Sequence, residues 1–261
     1  MRCFAKALIS CATVAWALSG TVLAATTTDY SDQWWNENES GWGASFLQQK
    51  DIIFADLFVY DANGKPTWFT TAMYRQPGAS DRFVGDLYAT TGPSFAGAFD
   101  PASVTRRIVG TATFTPISTS SGTLNYSVDG VAVPKNVTRQ TWAVNNLSGR
   151  YLVAMYHSRT PCPTGASLPE VKELGEITIV QNSSTYSAQS VTDHSTCTYS
   201  GNYSQTGRFG TSSGTVSCTN GARGTYTTSE MDAGPAAIVM RMSTNLVTVC
   251  LSSNVSGARI P

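Results

Sequence analysis

The chain has 261 residues, of which 13% are charged, with 17 basic and 17 acidic side chains. It has no basic stripe or polybasic patch, so we expect no nucleic-acid partner. No stretch after the N-terminus approaches the roughly 20 apolar residues that a membrane-spanning helix needs, so we expect no integral membrane segment.

Residues 1–24 have the pattern of a secretory signal peptide. Arg2 and Lys6 form a basic start, a mostly apolar run follows to Leu18, and Val22-Leu23-Ala24 fits a cleavage site. We therefore predict a secreted or periplasmic protein.

Cysteine usage agrees with export. Four cysteines remain after residue 24, all in the C-terminal half: Cys162, Cys197, Cys218 and Cys250. An even number in an oxidising compartment predicts two disulfides. Three pairings are open, and we favour Cys162–Cys197 with Cys218–Cys250. Because the chain has no CxxC pair and only two histidines, we predict no metal site and no cofactor.

Short strands separated by turn signals run through both halves. The dipeptides Asn63-Gly64, Asp129-Gly130 and Asn220-Gly221 predict hairpins, since type I′ turns need positive φ at both central residues. We predict an all-β fold, an antiparallel meander barrel or sandwich, in two β subdomains. The predicted units are a Trp-rich β domain at 25–145 and a disulfide-bearing β domain at 146–261.

Individual strands are predicted with different clarity. Residues Ile52 to Tyr60 are apolar on both faces, with Asp56 on the face of Phe54 and Phe58. A strand buried on both sides, or one with a ligand-facing side, has this pattern. In the second half, Gly201, Gly214 and Gly224 precede apolar residues, and we place such glycines at strand entrances. Leu168 to Leu174 is predicted as a brief helix.

The tryptophans are concentrated in one stretch, because four of the five beyond residue 24 lie between Trp34 and Trp68. Large aromatics interleaved with Asn, Glu and Gly can form a stacking surface with hydrogen-bonding groups beside it. The same rings could instead close a barrel core. Neighbouring Trp34 and Trp35 cannot both point inward on a regular strand. The candidate ligand-binding residues are Trp34, Trp35, Asn36, Glu37, Trp42 and Trp68.

This stretch resembles a segment of uncharacterised exported, β-rich proteins of proteobacteria. The pattern is carried by Trp34-Trp35-Asn36, by Glu39-Ser40-Gly41-Trp42-Gly43, and by Tyr60-Asp61-Ala62-Asn63-Gly64-Lys65-Pro66 with Trp68. The resemblance implies an exported bacterial β protein. It implies no activity, since none is established for that family.

Catalytic signals are weak, and we predict no catalytic residues. Residues 210–214 match G-x-S-x-G, but their flanks predict a hairpin rather than a nucleophile elbow. His157 and His194 lack evident partners, so structural roles are favoured. Glu37, Glu39 and Asp56 are the carboxylates considered for glycosidase chemistry, and the spacing of Glu37 and Glu39 fits neither glycosidase geometry clearly. Asp61 opens a calcium-loop-like pattern that lacks further ligands, so we predict a hairpin turn there.

Three functions follow, in order of preference. The first is an exported, non-enzymatic binding protein that uses the aromatic surface for a glycan or a small apolar ligand. The second is a protein-interaction module, such as a hydrolase inhibitor or an adhesin. The third is a secreted glycan hydrolase, which needs two carboxylates in a cleft.

Overall fold

The computed structural model describes residues 28–78, 81–161, 168–247 and 249–261. The predicted signal peptide and Cys162 lie outside them. A short 3-10 helix spans Pro101–Ser103. The strands within the described residues are β1 (Asp32–Trp35), β2 (Gly43–Gln49), β3 (Ile52–Tyr60), β4 (Pro66–Arg75), β5 (Phe83–Thr91), β6 (Thr105–Pro116), β7 (Ser121–Val128), β8 (Val131–Arg139), β9 (Gly149–Pro161), β10 (Leu168–Asn182), β11 (Thr185–Thr192), β12 (Thr196–Thr206), β13 (Phe209–Cys218), β14 (Arg223–Ala233), β15 (Ala237–Leu246) and β16 (Val249–Ile260).

These strands form two closed antiparallel barrels of eight strands each, β1–β8 and β9–β16. Each strand pairs with the next, and the first pairs with the last of its barrel, as Trp34 does with Arg139. The all-β class and the division into two β subdomains are confirmed, and both units are barrels rather than sandwiches. Closure gives every described strand a neighbour on both sides. In the parts of the chain that are described, no helix is long and apolar enough to cross a membrane.

The hairpin dipeptides lie where they were predicted. Asp129 and Gly130 join β7 to β8 with φ of 47° and 88°, in the left-handed region that a type I′ turn requires. Gly64 and Gly221 also have positive φ, in the turns before β4 and β14, but Asn63 and Asn220 do not, so the predicted type I′ geometry is wrong for these two turns. There the Gly64 N–H donates to the Asp61 carbonyl and the Gly221 N–H to the Cys218 carbonyl. Local turn chemistry therefore sets three of the reversals.

Two predictions about the second half are wrong. Leu168 to Leu174 is not a helix but the first part of β10, where Leu174 pairs with Ala154 of β9. Gly201 and Gly214 lie inside strands rather than at their entrances, whereas Gly224, the second residue of β14, stands at an entrance as predicted. Gly201 pairs with Gly214, and a Cβ on Gly201 would overlap the Ser213 carbonyl oxygen. These glycines are therefore needed for close strand approach, not for turning the chain.

Inward-facing side chains fill the two barrels differently. The first contains a cluster of rings, including Trp34, Phe46, Phe83 and Phe114, packed edge-to-face or tilted at centroid distances of 5.0 to 6.4 Å. The second contains tyrosines, methionines and aliphatic side chains, together with buried Ser190, Ser212, Thr228 and Thr244. Alternation along each strand separates these interior residues from the outer face.

A buried arginine lies where the two barrels meet. Arg139, at the end of β8, donates to the Asp29 carbonyl at 2.6 Å and to the Asp32 carboxylate at 3.1 Å. Its guanidinium also stacks on Trp34 of the first barrel and Phe209 of the second, 4.9 and 4.8 Å from the ring centroids. Gly207 packs against it so closely that a Cβ there would overlap the Arg139 side chain. We call this cluster the Arg139 joint.

Candidate functional site

Trp34 and Trp35 lie on opposite faces of β1. Trp34 is fully buried in the first barrel, and its indole N–H donates to the Tyr30 carbonyl at 2.9 Å. Trp35 is half-buried and faces outward. Because Trp34 has no exposed surface, a ligand cannot reach its ring without unfolding the core. Of this pair, only Trp35 remains a candidate for stacking.

Trp42 is already engaged by its neighbours. Its indole N–H donates to the Glu39 carboxylate at 2.9 Å, and Lys135 also donates to that carboxylate. The Lys135 ammonium lies 5.1 Å from the Trp42 ring centroid. The hydrogen bond from Lys135 lowers the pKa of Glu39. One ring face and the N–H of Trp42 are therefore occupied.

Asn36 and Glu37 belong to the loop that joins β1 to β2. The Asn36 side chain accepts from the Asn38 backbone N–H at 3.0 Å and donates to Glu39 at 3.3 Å. Its amide thus holds the loop together. Glu37 is exposed to solvent, as expected for a residue in a surface loop.

The outer face of β1 to β4 carries an aromatic row. Gly43 of β2 pairs with Phe58 of β3, and Phe58 pairs with Trp68 of β4. Trp35 faces the same side on β1. Phe58 and Trp68 are 49% and 51% exposed, so the register leaves two large ring surfaces accessible side by side, with Trp35 beyond Gly43.

A polar row runs beside the aromatic row. Gln33 pairs with Ser45, Ser45 with Asp56, and Asp56 with Thr70, so one polar residue comes from each of four neighbouring strands. Beyond it, Leu47 pairs with Phe54 and Phe54 with Ala72, which gives an apolar border. The polar row is therefore flanked by apolar side chains on both sides.

Asp56 is the charged group at the centre of this face. Partial burial raises the pKa of its carboxyl above the ordinary value. Within the described parts of the chain, no hydrogen bond or ion pair to the carboxyl is found. A carboxylate held among rings without a partner can accept hydrogen bonds from a bound molecule. We call Trp35, Phe58 and Trp68, with Gln33, Ser45, Asp56 and Thr70, the outer-face site.

The outer-face site differs from the predicted residue set. Trp35 and Trp68 lie on it, whereas Trp34 lies in the core and Trp42 is held by Glu39 and Lys135. Phe58, Gln33, Ser45 and Thr70 were missed. The signal for Phe58 and Asp56 was present in the alternation along Ile52 to Tyr60, but the partners on β1, β2 and β4 depend on strand register.

Two further chemical candidates have structural roles. Ser212 is buried inside β13, with its hydroxyl 2.9 Å from the Tyr226 hydroxyl, so no nucleophile elbow forms there. The Asp61 carboxylate accepts from the backbone N–H groups of Asn63 and Lys65 at 2.8 and 2.9 Å, which closes a hairpin turn. Among the described residues, no group of three His, Cys, Asp or Glu side chains could hold a metal ion.

The disulfide pairing favoured from the sequence is wrong. Cys197 of β12 is bonded to Cys218 of β13 with an S–S distance of 2.06 Å. The two residues are direct register partners in the β12–β13 hairpin. Cys250 is also disulfide-bonded. Strand register, which the sequence did not reveal, therefore decided the pairing.

Comparisons with known proteins identify neither a family nor a function for the chain. No protein-family model matches the chain, and no curated protein is significantly similar to it. A crystal structure of a Bacteroides fragilis protein, provisionally named an outer membrane protein, aligns with a TM-score of 0.32 and 12% identity. The alignment covers 80% of this chain and 89% of that one. A similarity of this size assigns neither fold kinship nor function.

Proposed function

We propose that the protein is an exported, non-enzymatic binding protein whose first barrel binds a glycan on the outer-face site. The observation that carries the proposal is the Asp56 carboxyl, which has no partner among the described residues and is aligned with Gln33, Ser45 and Thr70 beside exposed rings. A sugar ring has an apolar C–H face and a rim of hydroxyl groups. Rings and hydrogen-bonding groups in adjacent rows match those two features.

The dimensions of the site favour an extended ligand. The aromatic row runs from β1 to β4, across three strand spacings or about 14 Å. Trp35, Phe58 and Trp68 would stack against successive sugar units, while Asp56 and Gln33 would hydrogen-bond their hydroxyls. The surface is the outside of a barrel rather than a deep cleft, which suits binding along a chain.

Export is part of the proposal. The Cys197–Cys218 disulfide supports an oxidising compartment, and the N-terminal signal pattern agrees with it. Secretion and periplasmic retention both place the protein beside envelope or environmental polysaccharides.

A second candidate, the protein-interaction module, is favoured by one observation. Leu47, Phe54, Tyr60 and Tyr74 are also exposed on the outer face of β2 to β4. A broad apolar face of this kind is typical of protein interfaces. In this second proposal, the outer face of β2 to β4 binds a protein partner instead of a glycan.

The test is isothermal titration of the mature protein with a panel of soluble oligosaccharides, beside pull-down on insoluble polysaccharides. We expect Asp56→Asn and Trp68→Ala each to weaken binding at least tenfold while the fold, followed by circular dichroism, is retained. Trp142→Ala is the matched control, because that ring is 75% exposed and belongs to the segment that joins β8 to β9. Absence of binding across the panel, or binding that survives both variants, would refute the glycan proposal.

A further inference from the structure

The second barrel contains a cavity of about 370 Å³ in its interior. It occupies the end that carries the β11–β12 and β13–β14 turns and extends to the exposed His194. Toward the Arg139 joint the interior is filled by large side chains such as Tyr151, Tyr203 and Tyr226. Toward the cavity, small residues such as Ser190 and Thr244 stand among larger ones such as Met155 and Met242. An eight-stranded barrel is just wide enough for such an interior to leave space for one small ligand.

One wall of the cavity is polar. His157 of β9 pairs with Ser253 of β16, and His157 Nδ1 lies 2.6 Å from the Ser253 hydroxyl. On the other side, Glu173 of β10 lies 3.7 Å from His157 Nε2 and 3.4 Å from His194 Nδ1. These distances are longer than those of good hydrogen bonds. The Glu173 carboxylate therefore retains acceptor capacity toward the cavity.

Thr244 provides an independent indication of a ligand. Its side chain is on β15, lines the cavity and is only 3% exposed. Its hydroxyl has no hydrogen-bond partner among the residues that the structure describes. A buried hydroxyl without a partner costs free energy. Its oxygen has less than 1 Å² of accessible surface, so a polar ligand group would satisfy it once the side chain turns toward the cavity.

Much of the remaining lining is apolar. It includes Met155, two residues from His157 along β9, and Val216, Met242, Leu246 and the Cys197–Cys218 disulfide. Sulfur and methyl groups offer dispersion contacts but no hydrogen bonds of ordinary strength. A ligand that fits both parts of the lining has an apolar body and one polar end.

We infer that the second barrel binds a small amphiphile whose head group donates hydrogen bonds to Glu173, with Thr244 as a further contact. The class comprises medium-chain alcohols and amines. Arg159 also lines the cavity and would attract a carboxylate, so a carboxylate competitor in the experiment decides whether Glu173 or Arg159 selects the head group. This site is separate from the outer-face site and does not depend on the glycan proposal.

The experiment uses the mature protein and the neutral fluorescent probe N-phenyl-1-naphthylamine, displaced by octanol, octylamine or octanoate. We expect saturable probe binding, displacement by octanol and octylamine, and at least fivefold weaker displacement by octanoate. Glu173→Gln should remove the preference against octanoate. Thr244→Leu should reduce probe binding by filling the cavity.

Leu174→Gln is the matched control, because Leu174 adjoins Glu173 on β10 but is 74% exposed on the outer face. It should leave probe binding unchanged, as should Asp56→Asn on the first barrel. Equal displacement by all three competitors would overturn the head-group assignment. Probe binding that is lost in Asp56→Asn but kept in Thr244→Leu would place the ligand on the first barrel and overturn the cavity site.

Discussion

The two barrels share strand number, topology and closure, yet they use their interiors in opposite ways. In the first, Trp34, Phe46 and Phe114 fill the interior, and the exposed rings and Asp56 lie outside. In the second, Ser190 and Thr244 stand at inward positions near one end and leave a cavity. Barrel topology therefore does not determine whether the interior is filled. The size of the inward-facing side chains does.

Hollowing the first barrel would make its interior resemble that of the second. Trp34→Ala removes a fully buried ring and its hydrogen bond to Tyr30, so we expect a loss of about 3–5 kcal/mol in the free energy of unfolding. Denaturant unfolding followed by tryptophan fluorescence measures it, because the other tryptophans of this barrel remain. Trp142→Ala, at an exposed site, should produce no comparable change. A loss below about 1 kcal/mol would mean that the interior repacks.

The Arg139 joint tests whether the barrels are energetically coupled. Arg139→Ala removes the charged donor to the Asp32 carboxylate and to the Asp29 and Thr119 carbonyls, so we expect a loss of about 3 kcal/mol in the free energy of unfolding. Arg107→Ala is the control, since Arg107 pairs with Asp129 at the surface and its removal should have no measurable effect. In scanning calorimetry, the wild type should show one unfolding transition, and in Arg139→Ala that transition should split into two. An unchanged single transition would show that the joint carries no coupling.

The smallest expected effect is a pH dependence confined to the second barrel. Burial lowers the pKa of His157, while Glu173 raises it and Arg159 lowers it. Of the other groups nearby, His194 lies against Glu173, and Ser253 of β16 does not titrate. Below about pH 6.5 the unfolded chain takes up a proton that the folded barrel binds less well, so stability falls as the pH falls.

Amide hydrogen exchange of β9 and β16 at pH 7 and pH 5 measures this effect. Protection should decrease at pH 5 in the wild type and should change less in His157→Gln. Protection in β1 to β4 serves as the internal reference. An equal loss of protection at pH 5 in the variant would assign the pH dependence to other groups.

Sequence reasoning succeeded where the determinant is local. The Asp129-Gly130 turn follows from the positive φ of two adjacent residues, and the bounds of β3 follow from an apolar run that ends at Asp61. The fold class follows from many such signals. Leu168 to Leu174 failed because its helix-like pattern was overridden by pairing with β9, which lies outside any local window.

The candidate site was only partly predictable for the same reason. Alternation along β1 predicts that Trp34 and Trp35 face opposite sides. Which of the two enters the core depends on the register of β1 against β2 and β8. The alignment of Asp56 with Gln33, Ser45 and Thr70 needs the register of four strands. The cavity beside Glu173 depends on side chains from most strands of the second barrel, which no short motif encodes.

The up-and-down order of the strands also fixes a polarity in the second barrel. Consecutive turns alternate between its two ends, so the β12–β13 turn at Gly207 meets the first barrel while the β13–β14 turn borders the cavity. The 10 residues of β13 separate these two turns, roughly 33 Å along the strand. The cavity and the contact with the first barrel therefore lie at different turns of the same sheet. A substitution at the Arg139 joint can affect the cavity end of the second barrel only through the strands that connect the two ends.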